Sequence, residues 1–288
     1  MRPFISFLTD FGPDVAVAVC RGVMLGICPE ATIVDVSHNV RKFAIDDGAW
    51  RLVFALPYLP VGIHVAVVDP GVGTERRPVG LRAARGDVLI GPDNGLLVPA
   101  ADALGGIVEA RLLANPALRR ESISSTFHGR DIFAPMAAHL ATGVPFEAVG
   151  PTIPAAELVR LPQPEPVAVA GGLETAIVFI DGFGNAYLAG TPSDLEAAIG
   201  PLAAGRRLRL SFGGAGTSAG AADPTIAPRP AGPRILELTW QRTFGEVPPG
   251  SPLLYGSSAG QLAVSENQGS IADRLGLAVG LPVRIEPA

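Results

Sequence analysis

The stretch from residue 63 to residue 77 places an acid and an arginine on either side of a stiff turn. An apolar, mostly β-branched run at residues 65–68 stops at Asp69, and a Pro-Gly-Val-Gly sequence follows before Arg76, seven residues further on. A carboxylate beside a guanidinium is a stable anion and a weak base, so this pair is suited to orienting a polar group or a water molecule. Because the run is typical of a covered strand, Asp69 is expected at that strand's carboxyl end, where open α/β sheets bind ligands.

Other residues of related chemistry stand at comparable positions along the chain. Four aspartates end strand-like runs or precede glycine turns: Asp10, Asp69, Asp93 and Asp181. A single aspartate of this kind often only caps a turn, His128 could be an ordinary loop histidine, and Arg76 with Arg77 could be two solvated surface charges. Taken together, the four aspartates with Arg76 and His128 are better explained as the lining of one crevice.

Several other chemistries are excluded by spacing. The four histidines are scattered, with no His-Glu-x-x-His sequence and no close cysteine pair, so no metal site is predicted. The glycines at positions 71 and 73 lack the third glycine and the following helix of a dinucleotide-binding turn. No Gly-x-Ser-x-Gly sequence marks a serine nucleophile.

The residues of the amino-terminal half alternate between strand-like and helix-like segments. Strands are predicted at residues 4–8, 31–36, 65–68, 87–90 and 106–113, and helices at residues 15–27, 46–56 and 132–141. Such alternation indicates an α/β fold, with a mostly parallel sheet covered by helices. We assign this α/β domain, which carries the acid and the arginine, to residues 1–162.

A proline-rich segment at residues 161–166 marks the predicted boundary between domains. A linker is assigned to residues 163–171, and a smaller domain to residues 172–288. Short strand-like runs separated by Gly, Pro, Ser and Asn occupy that domain at residues 175–180, 207–212, 235–240, 253–256, 261–265 and 283–286. They predict an all-β, barrel-like fold. Residues 213–232, rich in Gly, Ala and Pro, are interpreted as a disordered or poorly packed insertion.

Composition favours a compact soluble protein. The 288 residues are 48% hydrophobic and 17% charged, with a net charge of −5 and a single lysine, so no nucleic-acid partner is expected. Cys20 and Cys28 lie too far apart along one predicted helix for a disulfide, which suggests a reducing, cytoplasmic setting. No signal peptide and no apolar run of about 18 residues is present, so no membrane association is predicted.

Seven motifs in order resemble those of the S-adenosylmethionine hydroxide adenosyltransferases, the hydrolase branch of the superfamily that contains the fluorinase and the chlorinase. They are Leu-Thr-Asp-Phe-Gly at residues 8–12, Val-Asp-Val-Ser-His at 34–38, Val-Val-Asp-Pro-Gly-Val-Gly-Thr at 67–74, Gly-Pro-Asp-Asn-Gly-Leu at 91–96, Ser-Thr-Phe-His-Gly-Arg-Asp at 125–131, Ile-Asp-Gly-Phe-Gly-Asn at 180–185 and Gly-Ser-Ser at 256–258. Each motif alone is weak, but the seven together cover nearly the whole chain.

The resemblance implies an activity and an assembly. It implies a metal-independent hydrolase that converts S-adenosyl-L-methionine and water to adenosine and L-methionine, by attack of water or hydroxide on the 5′ carbon. S-adenosyl-L-methionine is then the substrate, with no cofactor. The resemblance also implies a homotrimer with substrate held between neighbouring subunits, and a catalytic set of Asp69, Arg76 and His128. We interpret Asp69 as the anion that fixes Arg76 and His128, which polarise the water; which of the three takes the proton is left open.

Substrate-binding residues are implied only by motif matching. From the first domain these are Asp10 for the ribose hydroxyls, Phe43 near the methionine or the sugar, and Phe127 beside the reacting carbon. From the second they are Asp181 for the methionine amino group, Phe183, Asn185 and Tyr187 for the adenosyl portion, Ser258 for the methionine carboxylate, and the backbone from Glu266 to Gln268 for adenine. The chain departs from the family pattern at Leu188-Ala189 and at Ala263.

Two alternative functions are considered. A 5′-halogenase of the same superfamily is disfavoured, because the halogenases lack the Asp, Arg, His set and carry an insertion that is absent here before residue 94. The departures in the second domain leave open a non-catalytic protein that binds adenosine or S-adenosylmethionine without turnover.

Overall fold

The computed structural model describes residues 2–213 and 234–288. The chain divides into two compact units, Met1–Pro162 and Gln163–Ala288. The insertion predicted at residues 213–232 lies, apart from Gly213, outside the described residues. No helix within the described ranges is long and apolar enough to cross a membrane. Cys20 and Cys28 are buried and unbonded to each other.

The first unit is built on a six-stranded sheet. Its strands are β1 (Phe4–Thr9), β2 (Thr32–Ser37), β3 (Ile63–Val67), β4 (Pro78–Ala83), β5 (Val88–Pro92) and β6 (Ile107–Leu112), in the spatial order β2-β1-β3-β5-β4-β6. The neighbours β2, β1, β3 and β5 pair in parallel, whereas β4 is antiparallel to both β5 and β6. The prediction of a mostly parallel α/β sheet is confirmed.

Helices cover both faces of this sheet. They are α1 (Val15–Ile27), α2 (Ile45–Ala55), α3 (Val98–Ala103) and α4 (Ala134–Ala141). On β3, Val65 and Val67 join the core formed with α1 and α4, while Ala66 joins the core formed with α2 and α3. Alternate residues of a strand face opposite sides of the sheet. A strand in a sheet that is covered on both faces therefore needs an unbroken run of apolar residues. This explains the sequence that leads into Asp69.

A buried polar row crosses the middle of the sheet. Ser6 Oγ lies 2.8 Å from His64 Nδ1, His64 Nε2 lies 2.8 Å from Asp87 Oδ1, and Arg85 donates to both Asp87 oxygens. Burial acts to raise the pKa of the Asp87 carboxyl, but the hydrogen bonds from His64 and Arg85 outweigh it and hold that pKa below its usual range. Ser6, His64 and Asp87 are each at most 1% exposed, so the row stabilises the sheet from inside.

The second unit is a closed β-barrel. Its strands are β7 (Val167–Val169), β8 (Gly172–Ile180), β9 (Ala186–Leu188), β10 (Arg207–Phe212), β11 (Arg234–Trp240), β12 (Pro252–Gly256), β13 (Leu262–Glu266) and β14 (Pro282–Pro287). Closure comes from β14, which pairs with β10 on one side and with β8 on the other. The barrel-like prediction is confirmed, with two short helices added: α5 (Pro192–Ile199) and α6 (Ile271–Leu275).

Candidate functional site

An ion pair joins Asp69 to Arg76 at the carboxyl end of β3. Arg76 Nε donates to Asp69 Oδ1 over 3.0 Å, and Arg76 Nη2 donates to Asp69 Oδ2. The two side chains are only 5% and 7% exposed. The turn between them is closed by Thr74, whose hydroxyl donates to the Gly71 carbonyl over 2.7 Å. A two-point contact of this kind fixes the orientation of the guanidinium as well as its position.

His128 completes the triad from another part of the chain. It lies directly before a π-helical turn, Gly129–Phe133, that continues into α4. Arg76 Nη2 lies 3.0 Å from His128 Nδ1. Since a guanidinium has only donors, Nδ1 must be the acceptor, and the neutral imidazole carries its proton on Nε2. The structure therefore brings Asp69, Arg76 and His128 into one hydrogen-bonded set.

The surroundings of His128 favour its neutral form. Burial is the largest effect and lowers the pKa of the imidazole, and the charge of Arg76 lowers it further. Asp69 and Asp131 act in the opposite direction, and Arg119 adds the smallest lowering effect. The net pKa lies below the ordinary value of 6.5. At neutral pH, His128 is thus an uncharged group with an N–H on Nε2.

Close packing between two loops brings the triad together. Gly73 has a φ of +78°, and a Cβ at this position would lie 2.2 Å from the Ser125 carbonyl oxygen. On the other loop, the buried Asp131 carboxylate accepts from the Ser124 backbone over 2.9 Å and from Arg130 Nε over 2.7 Å. Asp131 thus braces the His128 loop from within, and the absence of a side chain at Gly73 lets the Asp69 turn approach that loop closely.

Two buried arginine nitrogens have no acceptor among the described residues. One is Arg76 Nη1, and the other is Nε of Arg119. Arg76 also packs over the ring of Phe133, with its guanidinium carbon 5.4 Å from the ring centroid. Sequence reasoning did not select Arg119, since it stands in no recognisable motif.

The other first-unit residues predicted to bind substrate surround the ends of β1 and β2. Asp10 Oδ2 accepts from the Phe43 backbone over 2.9 Å. Phe43 has a φ of 65°, a left-handed conformation that is strained for a non-glycine residue, and its side chain is 68% exposed. Phe127 packs edge-to-face on Phe11, with ring centroids 5.9 Å apart.

A groove of about 420 Å³ opens beside this region, between the start of α1 and the loop after β2. Its lining includes Gly12, Asp14, Arg21 and His38. None of the residues predicted to bind substrate lines it.

Asp93 has a structural role, unlike the crevice role expected for it. Its carboxylate accepts from Arg77 Nε over 2.9 Å and from the Val159 backbone over 2.9 Å. These contacts fix the loop before β4 to residues 157–159, and the Asp93 side chain is only 3% exposed. The same pair shows that Arg77 is not a solvated surface charge.

In the second unit, Asp181 organises the turn between β8 and β9. Its Oδ1 accepts from the backbones of Phe183 and Asn185, while Oδ2 accepts from the Asn185 side chain over 2.8 Å and from the Tyr187 hydroxyl over 3.3 Å. Burial, followed by the nearby Asp181 charge, raises the pKa of Tyr187, so its hydroxyl stays protonated. Phe183 is 80% exposed at the tip of this turn.

The remaining predicted residues lie around the hairpin of β12 and β13. Ser258 is exposed in the hairpin loop. Glu266 ends β13 and lies 2.7 Å from Arg274, with angles that are not those of a hydrogen bond. Gln268 has a φ of 59° in the turn that follows. In the parts of the chain that the structure describes, no group of three or more His, Cys, Asp or Glu side chains could hold a metal ion.

Comparisons with known proteins match most of this chain to one family. Residues 5–150 match the family model for the SAM hydroxide adenosyltransferase N-terminal domain, and residues 175–284 match the model for its C-terminal domain. A relative from Salinispora arenicola named (R)-S-adenosyl-L-methionine hydrolase is 42% identical over 98% of this chain and 97% of its own. A fluorinase from Actinoplanes sp. is 32% identical over 100% of this chain and 98% of its own. An uncharacterized conserved protein from Thermotoga maritima has a solved structure with a TM-score of 0.84 and 30% identity, covering 98% of this chain and 99% of that one.

Proposed function

The chain belongs to the SAM hydroxide adenosyltransferase family, and from this premise we propose that it hydrolyses S-adenosyl-L-methionine to adenosine and L-methionine. The observation that carries the proposal is the hydrogen-bonded set of Asp69, Arg76 and His128, in a chain 42% identical to a hydrolase of this substrate. The reaction forms a bond from the oxygen of water or hydroxide to the 5′ carbon and breaks the bond from that carbon to sulfur.

The leaving group explains why so few catalytic residues are needed. The sulfonium departs as a neutral thioether, so no general acid has to protonate it. The protein must hold one oxygen nucleophile in line behind the 5′ carbon, which removes much of the entropic cost of the encounter. Donors aimed at that oxygen stabilise its negative charge.

We assign the donor role to Arg76 and His128. His128 has no free acceptor, because Nδ1 already accepts from Arg76 and Nε2 carries the proton. Both Asp69 oxygens already accept hydrogen bonds from Arg76, so we assign this carboxylate to orienting the guanidinium. The nucleophile is therefore proposed to enter as hydroxide, or as a water molecule that loses its proton to solvent, while Asp69 holds Arg76 in place.

Substrate contacts are proposed as the family resemblance implies. They comprise Asp10, Phe43, Phe127, Asp181, Phe183, Asn185, Tyr187, Ser258 and Glu266. The protein is further proposed to act as a homotrimer with its sites where neighbouring subunits meet, to need no metal ion, and to reside in the cytoplasm. Light scattering after size exclusion tests the trimer, and unchanged turnover in excess EDTA is expected if no metal takes part.

A product assay by mass spectrometry tests the activity. Purified protein should release adenosine and methionine in equal amounts, with oxygen from labelled water in the adenosine. Both sulfonium epimers should be supplied, because the Salinispora relative is named for the (R) form. Unlabelled adenosine would contradict direct attack by water.

Two further results would replace the proposal. A 5′-halogenated nucleoside formed with chloride or fluoride would identify a halogenase. Tight binding of S-adenosylmethionine without any product would identify a non-catalytic binding protein.

A further inference from the structure

The segment at the carboxyl end of β1, residues 9–12, contains Asp10, the carboxylate proposed to bind the ribose hydroxyls. Asp10 Oδ2 also accepts from the Phe43 backbone over 2.9 Å, and the neighbouring Phe11 packs on the ring of Phe127. A carboxylate displaced by about 1 Å loses its hydrogen bonds, since these weaken steeply beyond about 3.2 Å. The conformation of residues 9–12 therefore decides whether Asp10 can bind a ribose.

His38 holds this segment at two points. Its Nδ1 lies 2.9 Å from the Thr9 hydroxyl oxygen, and its carbonyl accepts from the Gly12 backbone over 2.8 Å. The Thr9 oxygen in turn accepts from the Phe11 backbone over 3.2 Å. Thr9 and Gly12 flank Asp10 in sequence, so a single residue fixes the segment on both sides.

An irregularity in strand pairing brings His38 to this place. The parallel pairing of β1 with β2 skips one residue of β2, so that Leu8 is opposite Ser37 rather than Val36. A bulge of this kind re-aims the side chains that follow it, and bulges are common beside active sites. His38 therefore comes level with Thr9.

Asp35 sets the tautomer of the His38 ring. Its Oδ1 lies 3.2 Å from His38 Nε2, within ion-pair range but at angles outside those of a hydrogen bond. Its Oδ2 accepts from Arg21 on α1 over 3.0 Å. A carboxylate beside Nε2 favours the proton on that nitrogen and leaves Nδ1 as an acceptor. The Thr9 hydroxyl then donates to Nδ1 while its oxygen accepts from the Phe11 backbone.

Burial decides which of these contacts matters most. Thr9 is fully buried, so its hydroxyl cannot exchange His38 for water. The side chains of Arg21 and Asp35 are 41% and 35% exposed, and exposed ion pairs contribute little to stability. Leaving a buried donor without its acceptor costs more than losing such a pair. The contact between Thr9 and His38 is therefore the one that holds residues 9–12.

We propose that Thr9 and His38 are positioning residues for Asp10, which hold its carboxylate where it binds the ribose hydroxyls; this role rests on the proposed function. Because they act through a group that holds the ribose, their loss weakens binding of the ground state and the transition state alike. Such a loss should raise KM with little change in kcat. The histidine that ends the motif at residues 34–38 thereby has a function.

A pair of substitutions at Thr9 tests the contact. Thr9→Val removes the hydroxyl and keeps the shape, so it should raise KM for S-adenosylmethionine about tenfold and leave kcat within about threefold, as expected for one buried hydrogen bond. Thr9→Ser keeps the hydroxyl and should stay within about threefold of the wild-type KM. An unchanged KM in Thr9→Val, or an equal rise in Thr9→Ser, would overturn the proposal.

Substitutions of His38 test the same contact from the other side. His38→Asn places an amide oxygen near the position of Nδ1 and can still accept from Thr9, whereas His38→Gln places its amide near the position of Nε2. KM should therefore rise more in His38→Gln than in His38→Asn, and an equal or reversed order would contradict the proposal. This pair also serves if Thr9→Val does not fold, which thermal melting shows.

A double-mutant cycle shows whether the effect passes through Asp10. In an Asp10→Ala background, Thr9→Val should no longer raise KM, because the carboxylate that Thr9 positions is absent. Full additivity of the two changes would show that Thr9 acts elsewhere.

Ser6→Ala is the matched control. Ser6 also lies on β1, and its hydroxyl oxygen lies 2.8 Å from a ring nitrogen of a histidine, His64. This variant should lower the melting temperature without changing KM. A KM raised as much as in Thr9→Val would mean that general loosening of β1 is responsible and that the positioning role is wrong.

A measurement without substrate separates this proposal from the proposed function. The Phe43 backbone N–H donates to Asp10 Oδ2, so its hydrogen exchange reports where the carboxylate lies. In Thr9→Val and His38→Gln this amide should exchange about tenfold faster than in the wild type, while amides in the middle of β1 keep their rates. Faster exchange in a protein without hydrolase activity would remove the proposed function and keep the contact. Unchanged exchange in an active enzyme would overturn the positioning role.

Discussion

Arg76 donates a hydrogen bond to Nδ1 of His128, and this single contact decides what the imidazole can do. Because Nδ1 accepts this hydrogen bond, the proton of the neutral ring lies on Nε2, and Nε2 is the one donor that the ring can offer. Protonation of His128 would place two donors against each other, in agreement with the lowered pKa of the imidazole.

Replacement of His128 tests the donor role. His128→Ala should lower kcat/KM for S-adenosylmethionine about 10²- to 10³-fold, the usual effect of losing one donor to a developing anion. His128→Gln can place an amide N–H near the position of Nε2 and should retain more activity. Substrate binding measured by calorimetry should change little in either variant. Equal rates in the wild type and both variants would show that His128 does not act as a catalytic donor.

Arg76→Lys tests the shape of the cation. Lysine keeps the charge but cannot donate to both Asp69 oxygens and to His128 in a fixed plane, so kcat should fall about 10²-fold. Arg77→Lys is the matched control, because Arg77 contacts Asp93 through the same two nitrogens outside the triad. That variant should lower the melting temperature and leave kcat nearly unchanged; the opposite pattern would contradict the assignment.

The lowered pKa of His128 predicts how stability depends on pH. As the pH falls below about 6.5, the unfolded chain binds a proton on this residue before the folded protein does, so the free energy of unfolding decreases. The loss ends once the pH is below the folded-state pKa. Urea unfolding of the wild type and of His128→Asn, from about pH 8 to about pH 5, should show a steeper loss for the wild type. Parallel curves would contradict the lowered pKa.

Gly73→Ala should disrupt the contact between the two loops. The new Cβ would meet the Ser125 carbonyl oxygen, and alanine is strained at a φ of +78°, so both stability and activity should fall. Gly71→Ala is the control, because the nearest atom to its Cβ would be 3.4 Å away. Enzyme assays and thermal melting should separate the two variants; similar behaviour would show that the close approach is not required.

The strain at Phe43 predicts opposite effects on stability and binding. Phe43→Gly removes the cost of the left-handed conformation, about 1 kcal/mol or more, and should raise the melting temperature while weakening substrate binding. Phe43→Ala also removes the ring but keeps the strained conformation, so it should weaken binding without a gain in stability. A melting temperature for Phe43→Gly no higher than that of Phe43→Ala would show that the strain is unimportant.

The parts of the fold that follow from local pattern were predictable. Helix α1 begins and ends where its apolar run predicts, and β10 spans the predicted residues 207–212. Strand β4 was missed because it begins at Pro78 and contains Gly80, two residues that weaken a strand signal. Helix α5 was also missed, although Thr191, Pro192 and Asp194 form a recognisable capping sequence. The helix predicted from residue 132 begins earlier, as a π-helical turn after His128.

The site was predictable only in part, for reasons of sequence distance. Asp69 and Arg76 are close in sequence, and their spacing across a turn indicated a pair. His128 lies 52 residues beyond Arg76, so its place beside them followed from family resemblance and needed the fold to be seen. Asp93 stands at the end of a strand like the site acids but binds Arg77, a tertiary contact that leaves no local pattern in the sequence.

The buried row of Ser6, His64 and Asp87 has a practical consequence for identifying serine enzymes by reactivity. It contains the three residue types of a serine hydrolase, yet each is at most 1% exposed, and the hydroxyl lies within a sheet where no acyl group can reach it. A fluorophosphonate reagent should leave Ser6 unlabelled in the folded protein. Template searches that match residue types alone would select the wrong histidine in this chain.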